Sequence, residues 1–129
     1  MMIHSAIPVI SVSDSIKAED CYCNVLGFQK LFAYRPDPNK NDPCYLGIER
    51  DGVRLHLDSF KPERAGTMGA FLYVSDVDQL YAEFAARSAT CQLPPTNQTW
   101  GNREMHIRDQ DGNVLCFANV TNENQPDQK

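Results

Sequence analysis

Paired cysteine spacing is absent from this chain. Cys21, Cys23, Cys44, Cys91 and Cys116 are odd in number and form no Cys-x-x-Cys pair, which argues against both a disulfide framework and a zinc site. Most of them are expected to pack as small buried hydrophobes. Long apolar runs are missing too, so no segment is a candidate membrane span. Residues 1–5 lack the charged and apolar regions of a signal peptide, and the expected compartment is the cytoplasm. Positive charge is also short. Twelve Lys and Arg stand against 17 Asp and Glu, a net charge of -5, which speaks against nucleic-acid binding through clustered cations. That balance is compatible with a cationic ligand.

What the chain does contain is a repeat. The stretch Glu104-Met105-His106-Ile107-Arg108 and the stretch Asn113-Val114-Leu115-Cys116-Phe117 alternate in polarity around Asp109-Gln110-Asp111-Gly112. A glycine after aspartate supplies the positive φ of a tight hairpin. A weaker copy lies at Asp51-Gly52, followed by Leu55-His56-Leu57 where the later hairpin has Leu115-Cys116-Phe117. Val12-Ser13-Asp14 likewise recurs as Val74-Ser75-Asp76.

Between these markers the pattern predicts a strand at 7–12, a helix capped by Ser13-Asp14-Ser15, a strand at 28–34, a proline-rich loop at 35–43, and strands at 44–50 and 53–58. Ala18, Cys21, Tyr22, Val25 and Leu26 form the helical stripe, which Gly27 ends. The second half repeats this with a strand at 70–74, a helix carrying Leu80, Tyr81, Phe84 and Ala85, and the last hairpin. Residues 92–100, with Pro94 and Pro95, read mostly as loop. The expected organisation is a single α+β domain over 1–129. It comprises a βαβββ unit at 6–59, a connection at 60–67, a second unit at 68–119 and a polar tail at 120–129.

Alternation sorts side chains between two sheet faces. Ile10, Val12, Leu55, Leu57, Leu72, Val74, Leu115 and Phe117 fall on the helix side. Ile7, Val9, Ser11, Arg54, His56, Asp58, Gly69, Phe71, Tyr73, Val114, Cys116 and Ala118 fall on the other, and curved mixed sheets would turn that face into a concave cavity for a small molecule.

Two βαβββ units, the helix end Val25-Leu26-Gly27-Phe28, the hairpin Asp51-Gly52-Val53-Arg54-Leu55-His56-Leu57 and the run Gly101-Asn102-Arg103-Glu104-Met105-His106-Ile107-Arg108-Asp109-Gln110-Asp111-Gly112-Asn113 resemble the vicinal oxygen chelate superfamily. That superfamily holds glyoxalases, extradiol dioxygenases and bleomycin-resistance proteins. The Arg-Leu-His after the glycine and the Arg-Glu before the last hairpin are most similar to the bleomycin-binding branch. The resemblance implies a metal-free homodimer that sequesters a partly aromatic antibiotic, of a kind that can carry positive charge, such as a bleomycin-like glycopeptide; the lack of apolar runs argues against a membrane partner. Its enzymes hold a divalent metal at positions that fall here on Ile7, His56, Gly69 and Cys116. Two of these cannot be side-chain ligands, so the expectation is no metal, no cofactor and no catalytic residue. The alternative is a metal-dependent lyase, isomerase or dioxygenase of the same superfamily.

The ligand-binding residues expected from these readings are Phe32, His56, Asp58, Phe71, Tyr73, Trp100 and Cys116. Phe32, Phe71 and Trp100 match positions where the resembled proteins carry stacking aromatics, and Asp58 would add negative charge. The plainer reading of His56 is a hydrogen-bonded wall residue, and of Cys116 a packed thiol without a nearby histidine. For Trp100 the plainer reading is dimer packing, and for Phe71 and Tyr73 a subunit interface. Glu104 and His106 read as ordinary polar residues of an exposed strand face rather than an acid–base pair.

Overall fold

A computed structural model describes residues 1–121; most of the expected polar tail lies outside the described residues. Two four-stranded mixed sheets carry the fold, which is α+β as expected. The first contains β1 (Val9–Ser11), β2 (Gln29–Tyr34), β3 (Tyr45–Arg50) and β4 (Val53–Asp58) in the order β1-β4-β3-β2. The second contains β5 (Gly69–Tyr73), β6 (Thr90–Asn97), β7 (Asn102–Arg108) and β8 (Val114–Val120) in the order β5-β8-β7-β6. In each, the first strand runs parallel to the last and the other pairs are antiparallel. Among the described residues no helix is long and apolar enough to cross a membrane.

Both tight turns have the predicted chemistry. Asp51 and Gly52 both take positive φ, 52° and 82°, the mirror-image turn whose twist matches the strands it joins. Gly112 has φ 90° and its N–H donates to the Asp109 carbonyl at 3.1 Å. The helices start where the caps predict. Asp14 Oδ1 accepts from the N–H groups of Ile16 and Lys17, and Asp76 Oδ1 from that of Gln79, satisfying donors that a helix start leaves open.

Two elements depart from the sequence reading. The first helix is α-helical only over α1 (Ser15–Glu19) and widens to π geometry over Asp20–Val25. Ala18, Tyr22 and Leu26 are all fully buried, and a spacing of four drifts by about 40° per step around a regular helix. Wider turns keep the three in line. The second departure is β6, an eight-residue strand where mostly loop was expected. It lies at the edge of its sheet and shifts register between Cys91 and Leu93 and between Leu93 and Thr96. An edge strand with irregular pairing accommodates Pro94 and Pro95, which have no N–H to donate.

The helix-side residues form one core across both units. Ile10, Val12, Leu55, Leu57, Leu115 and Phe117 are buried as alternation predicted, joined by Leu46, Ile48, Met105 and Ile107. Each such side chain contributes roughly 1.5–3 kcal/mol through removal of apolar surface from water. The second helix, α2 (Val77–Ala86), sets Phe84 edge-on against Phe117 with ring centroids 5.3 Å apart.

Polar clasps join the two units. Tyr22 Oη donates to Asp109 Oδ2 at 2.8 Å, Asn113 Nδ2 donates to the Ser11 carbonyl at 2.9 Å, and the Ser13 N–H donates to Asp111 Oδ2 at 2.9 Å. On another side Arg50 donates to both oxygens of Glu83, at 2.7 and 2.9 Å, and to the Leu26 carbonyl. The Arg50 hydrogen bonds hold the Glu83 carboxyl below its ordinary value of 4.5. A depressed folded-state pKa stabilises the fold above the unfolded value, and the contribution disappears as pH falls through the folded one. In urea denaturation, Glu83→Gln should therefore unfold earlier than the wild type at neutral pH, and the difference should close in strong acid.

Candidate functional site

The side of each sheet turned away from the helices carries the predicted site residues, in two groups. On the first sheet, β4 places His56 opposite Gly47 of β3, and Gly47 in turn lies opposite Phe32 of β2. The Phe32 ring lies over Gly47 so closely that a Cβ there would collide with its Cδ2 and Cζ, at 2.6 and 2.7 Å. Glycine is thus required for the ring to lie down. Tyr45 stacks on Phe32 at 6.4 Å between centroids, and its hydroxyl lies 3.0 Å from His56 Nδ1. His56 is edge-on to both rings. Asp58 shares this face, with Oδ1 accepting from the Phe60 N–H.

On the second sheet, β5 and β8 place Phe71 beside Cys116, and β7 places His106 across from Cys116. Phe71 and Tyr73 neighbour each other at 5.1 Å. Glu104, one step along β7 on the same face, is 3% exposed, so the expectation of an exposed polar strand face fails here. The expectation that no histidine stands near Cys116 fails as well. Register accounts for both: the side chains of β7 and β8 that share a face meet across the ladder.

Glu104 is the hub of this group. Trp100, in the turn before β7, donates its indole Nε1–H to Glu104 Oε2 at 2.8 Å, and Asn102 Nδ2 donates to the same oxygen at 3.3 Å. His106 Nε2 lies 3.5 Å from the other oxygen. Burial pushes the Glu104 carboxyl up, but hydrogen bonds from Trp100, Asn102, His106 and Cys116 bring it below its ordinary 4.5. The Cys116 thiol is pushed up to about 12, by burial and then by the Glu104 carboxylate beside it. A thiol of that kind is protonated at neutral pH and is no nucleophile.

The expected cavity takes the form of two open faces rather than an enclosed pocket. Of the cavities, one of about 840 Å³ runs along the edge strand β5 between the units, so both Phe71 and Tyr73 border it together with Leu72 and Phe84. Another, of about 560 Å³, lies between the first helix and the β7–β8 turn, lined by Cys21, Arg108 and Asp109. It is remote from every predicted site residue.

The four positions at which the superfamily's enzymes hold a metal do not fit one here. Ile7 and Gly69 offer no donor, and a Cβ at Gly69 would run into the Val114 carbonyl, so that position has no room for a ligand side chain. His56 already has Tyr45 at Nδ1. A two-ligand remainder falls short of the three protein ligands of a catalytic zinc site.

Sequence reasoning passed over Tyr45 and discounted Glu104. The repeat contained the signal: Tyr45 pairs with Asp58, two residues beyond His56, as Glu104 pairs with Ala118, two beyond Cys116. The two residues hold equivalent places.

A chain with paired βαβββ sheets, one helix per sheet and side chains gathered on the opposite faces has the architecture of the resembled superfamily. The profile of the Glyoxalase/Bleomycin resistance protein/Dioxygenase superfamily matches residues 3–117, and the chain belongs to that superfamily. Among solved structures it is similar to TnmS3, an antibiotic binding protein from Streptomyces sp. CB03234. Identity is 28% and the TM-score 0.72, over 93% of this chain and 99% of that one. It is also similar to the bleomycin-binding protein from bleomycin-producing Streptomyces verticillus, solved with copper(II)-bleomycin. Here identity is 25% and the TM-score 0.69, over 95% and 99% of the two chains. A glyoxalase-related enzyme from Clostridium phytofermentans shares the fold at 19% identity and a TM-score of 0.77, over 93% and 97%. No curated protein matches the chain.

Proposed function

We propose that the chain is a binding protein of the bleomycin-resistance type, which sequesters a partly aromatic, cationic small molecule without transforming it. The observation that carries this reading is Trp100. It is 49% exposed, yet its indole N–H is anchored on a buried carboxylate. The ring is held in one orientation with apolar surface facing out, as a stacking platform requires. Phe32, Phe71 and Tyr73 add exposed aromatic surface, Asp58 adds negative charge on the first sheet, and the net charge of -5 favours a cation. The similarity to two antibiotic-binding proteins supports the ligand class. His56 serves as a wall residue held by Tyr45, Cys116 lines the second face beside Phe71, and the superfamily's four-position metal set is not assembled.

The protein acts as a homodimer in the cytoplasm. Val9, Phe32, Tyr34, Phe71 and Trp100 are each exposed by 43–59%, and a second copy covers them while completing the binding grooves. Calorimetric titration with copper-free and copper-loaded bleomycin, alongside light scattering for the dimer, tests the reading. Saturable binding to a dimer is expected; a folded dimer that takes up neither form at micromolar drug would sink it.

A further inference from the structure

We propose that Glu104, His106 and Cys116 form a binding site for one zinc-class divalent cation, built mainly from β7 and sharing only Cys116 with the four positions at which the superfamily's enzymes hold a metal. The three offer a carboxylate oxygen, an imidazole nitrogen and a sulfur, and these atoms all lie within 4.8 Å of one another. A carboxylate, imidazole and thiolate together suit a borderline-soft ion such as Zn²⁺ better than hard Mg²⁺ or Ca²⁺.

The geometry is close to what such an ion needs. Zinc bonds to nitrogen and oxygen of about 2.0–2.1 Å imply ligand-to-ligand edges of about 3.4 Å in a tetrahedron, and Glu104 Oε1 lies 3.5 Å from His106 Nε2. The sulfur lies within 4.8 Å of both other ligand atoms, against an edge of about 3.6 Å for a zinc–sulfur bond of about 2.3 Å. The three residues come from two hydrogen-bonded strands, with His106 directly across from Cys116. Rigid strands hold such a constellation more closely than loops do.

Hydrogen bonding around Glu104 divides the carboxylate in a useful way. Trp100 and Asn102 both donate to Oε2, which fixes the group and leaves Oε1 facing His106. Ligating carboxylates are commonly supported by donors of this kind. Among the described residues no lysine or arginine pairs with Glu104; its ion-pair contact is His106. The buried carboxylate is held by neutral donors and not by a full positive charge, and a bound cation supplies that charge. With Cys116 losing its proton to solvent on binding, Zn²⁺, carboxylate and thiolate sum to zero. Three protein ligands leave a fourth position on the sheet face beside Phe71, where an oxygen or nitrogen donor of a bound molecule can sit.

The inference does not rest on the drug-binding reading, and its test uses cobalt alone. Reduced, metal-stripped protein is titrated anaerobically with Co²⁺, whose tetrahedral thiolate complexes absorb in the visible and near ultraviolet. Expected are saturation at one equivalent, a thiolate-to-cobalt charge-transfer band, and bleaching by Zn²⁺. Cys116→Ser should lose the charge-transfer band and His106→Ala should lose tight binding, both with unchanged circular dichroism, while His56→Ala should keep both. If Cys116→Ser does not fold, His106→Ala and elemental analysis of protein purified without chelator carry the test. A folded wild type with no cobalt spectrum overturns the proposal, as does a charge-transfer band that survives Cys116→Ser or disappears with His56→Ala.

Discussion

Replacing Asn113 with alanine is expected to lower the unfolding free energy by about 3–5 kcal/mol, the largest effect of any single side chain in the clasp between the units. Asn113 has no exposed surface. Its Oδ1 accepts from the N–H groups of Gly66 and Met68, at 2.9 and 3.0 Å, and its Nδ2 donates to the Ser11 carbonyl and to Asp109 Oδ2, both at 2.9 Å. One amide therefore ties together the connection before β5, strand β1 and the last hairpin turn. Alanine would strand buried donors and acceptors on three segments at once, and each unpaired group costs about 1–3 kcal/mol before relaxation and water entry reduce the sum. Urea denaturation of the two proteins measures the difference. A change below about 1 kcal/mol would mean that water replaces the amide without loss.

The second large effect concerns binding. Trp100→Ala should weaken bleomycin affinity about 30-fold or more, the loss expected when a central aromatic anchor is removed. Stability should change little, because half of the indole is exposed and its N–H acts on a side chain with three other donors. Trp100→Phe separates the two parts of the role. It keeps an aromatic face but loses the hydrogen bond to Glu104, so its affinity should fall between those of wild type and Trp100→Ala. Calorimetry on all three proteins gives the order; equal affinities would show that the indole does not touch the drug.

Much of the fold could be read from the chain because the repeat and the alternation are local. Asp51-Gly52 and Asp111-Gly112 fixed both hairpins, and the cap residues Asp14 and Asp76 fixed both helix starts. What escaped was set by pairing across strands. Pro94 and Pro95 argue against a strand until the edge position of β6 is known. The π turn goes with the burial of Ala18, Tyr22 and Leu26 in one line, and Tyr22 meets Asp109 eighty-seven residues later. The site followed the same division. Phe32, His56, Phe71 and Trp100 are candidates that phase or resemblance supplies. Tyr45 is important because it rests on Phe32 and reaches His56, and Glu104 because Trp100, Asn102, His106 and Cys116 converge on it. Neither convergence is visible without the register.

The prolines of β6 also bear on how copies of the chain meet. An edge strand with a full row of free N–H and C=O groups is a template on which another copy can grow, and such edge-to-edge growth is a route to fibres. Pro94 and Pro95 interrupt the run of backbone donors along this strand, and the two register shifts spoil the straightness that stacking needs. A crowded population of this protein is thereby turned away from joining strand to strand along that rim of the second sheet.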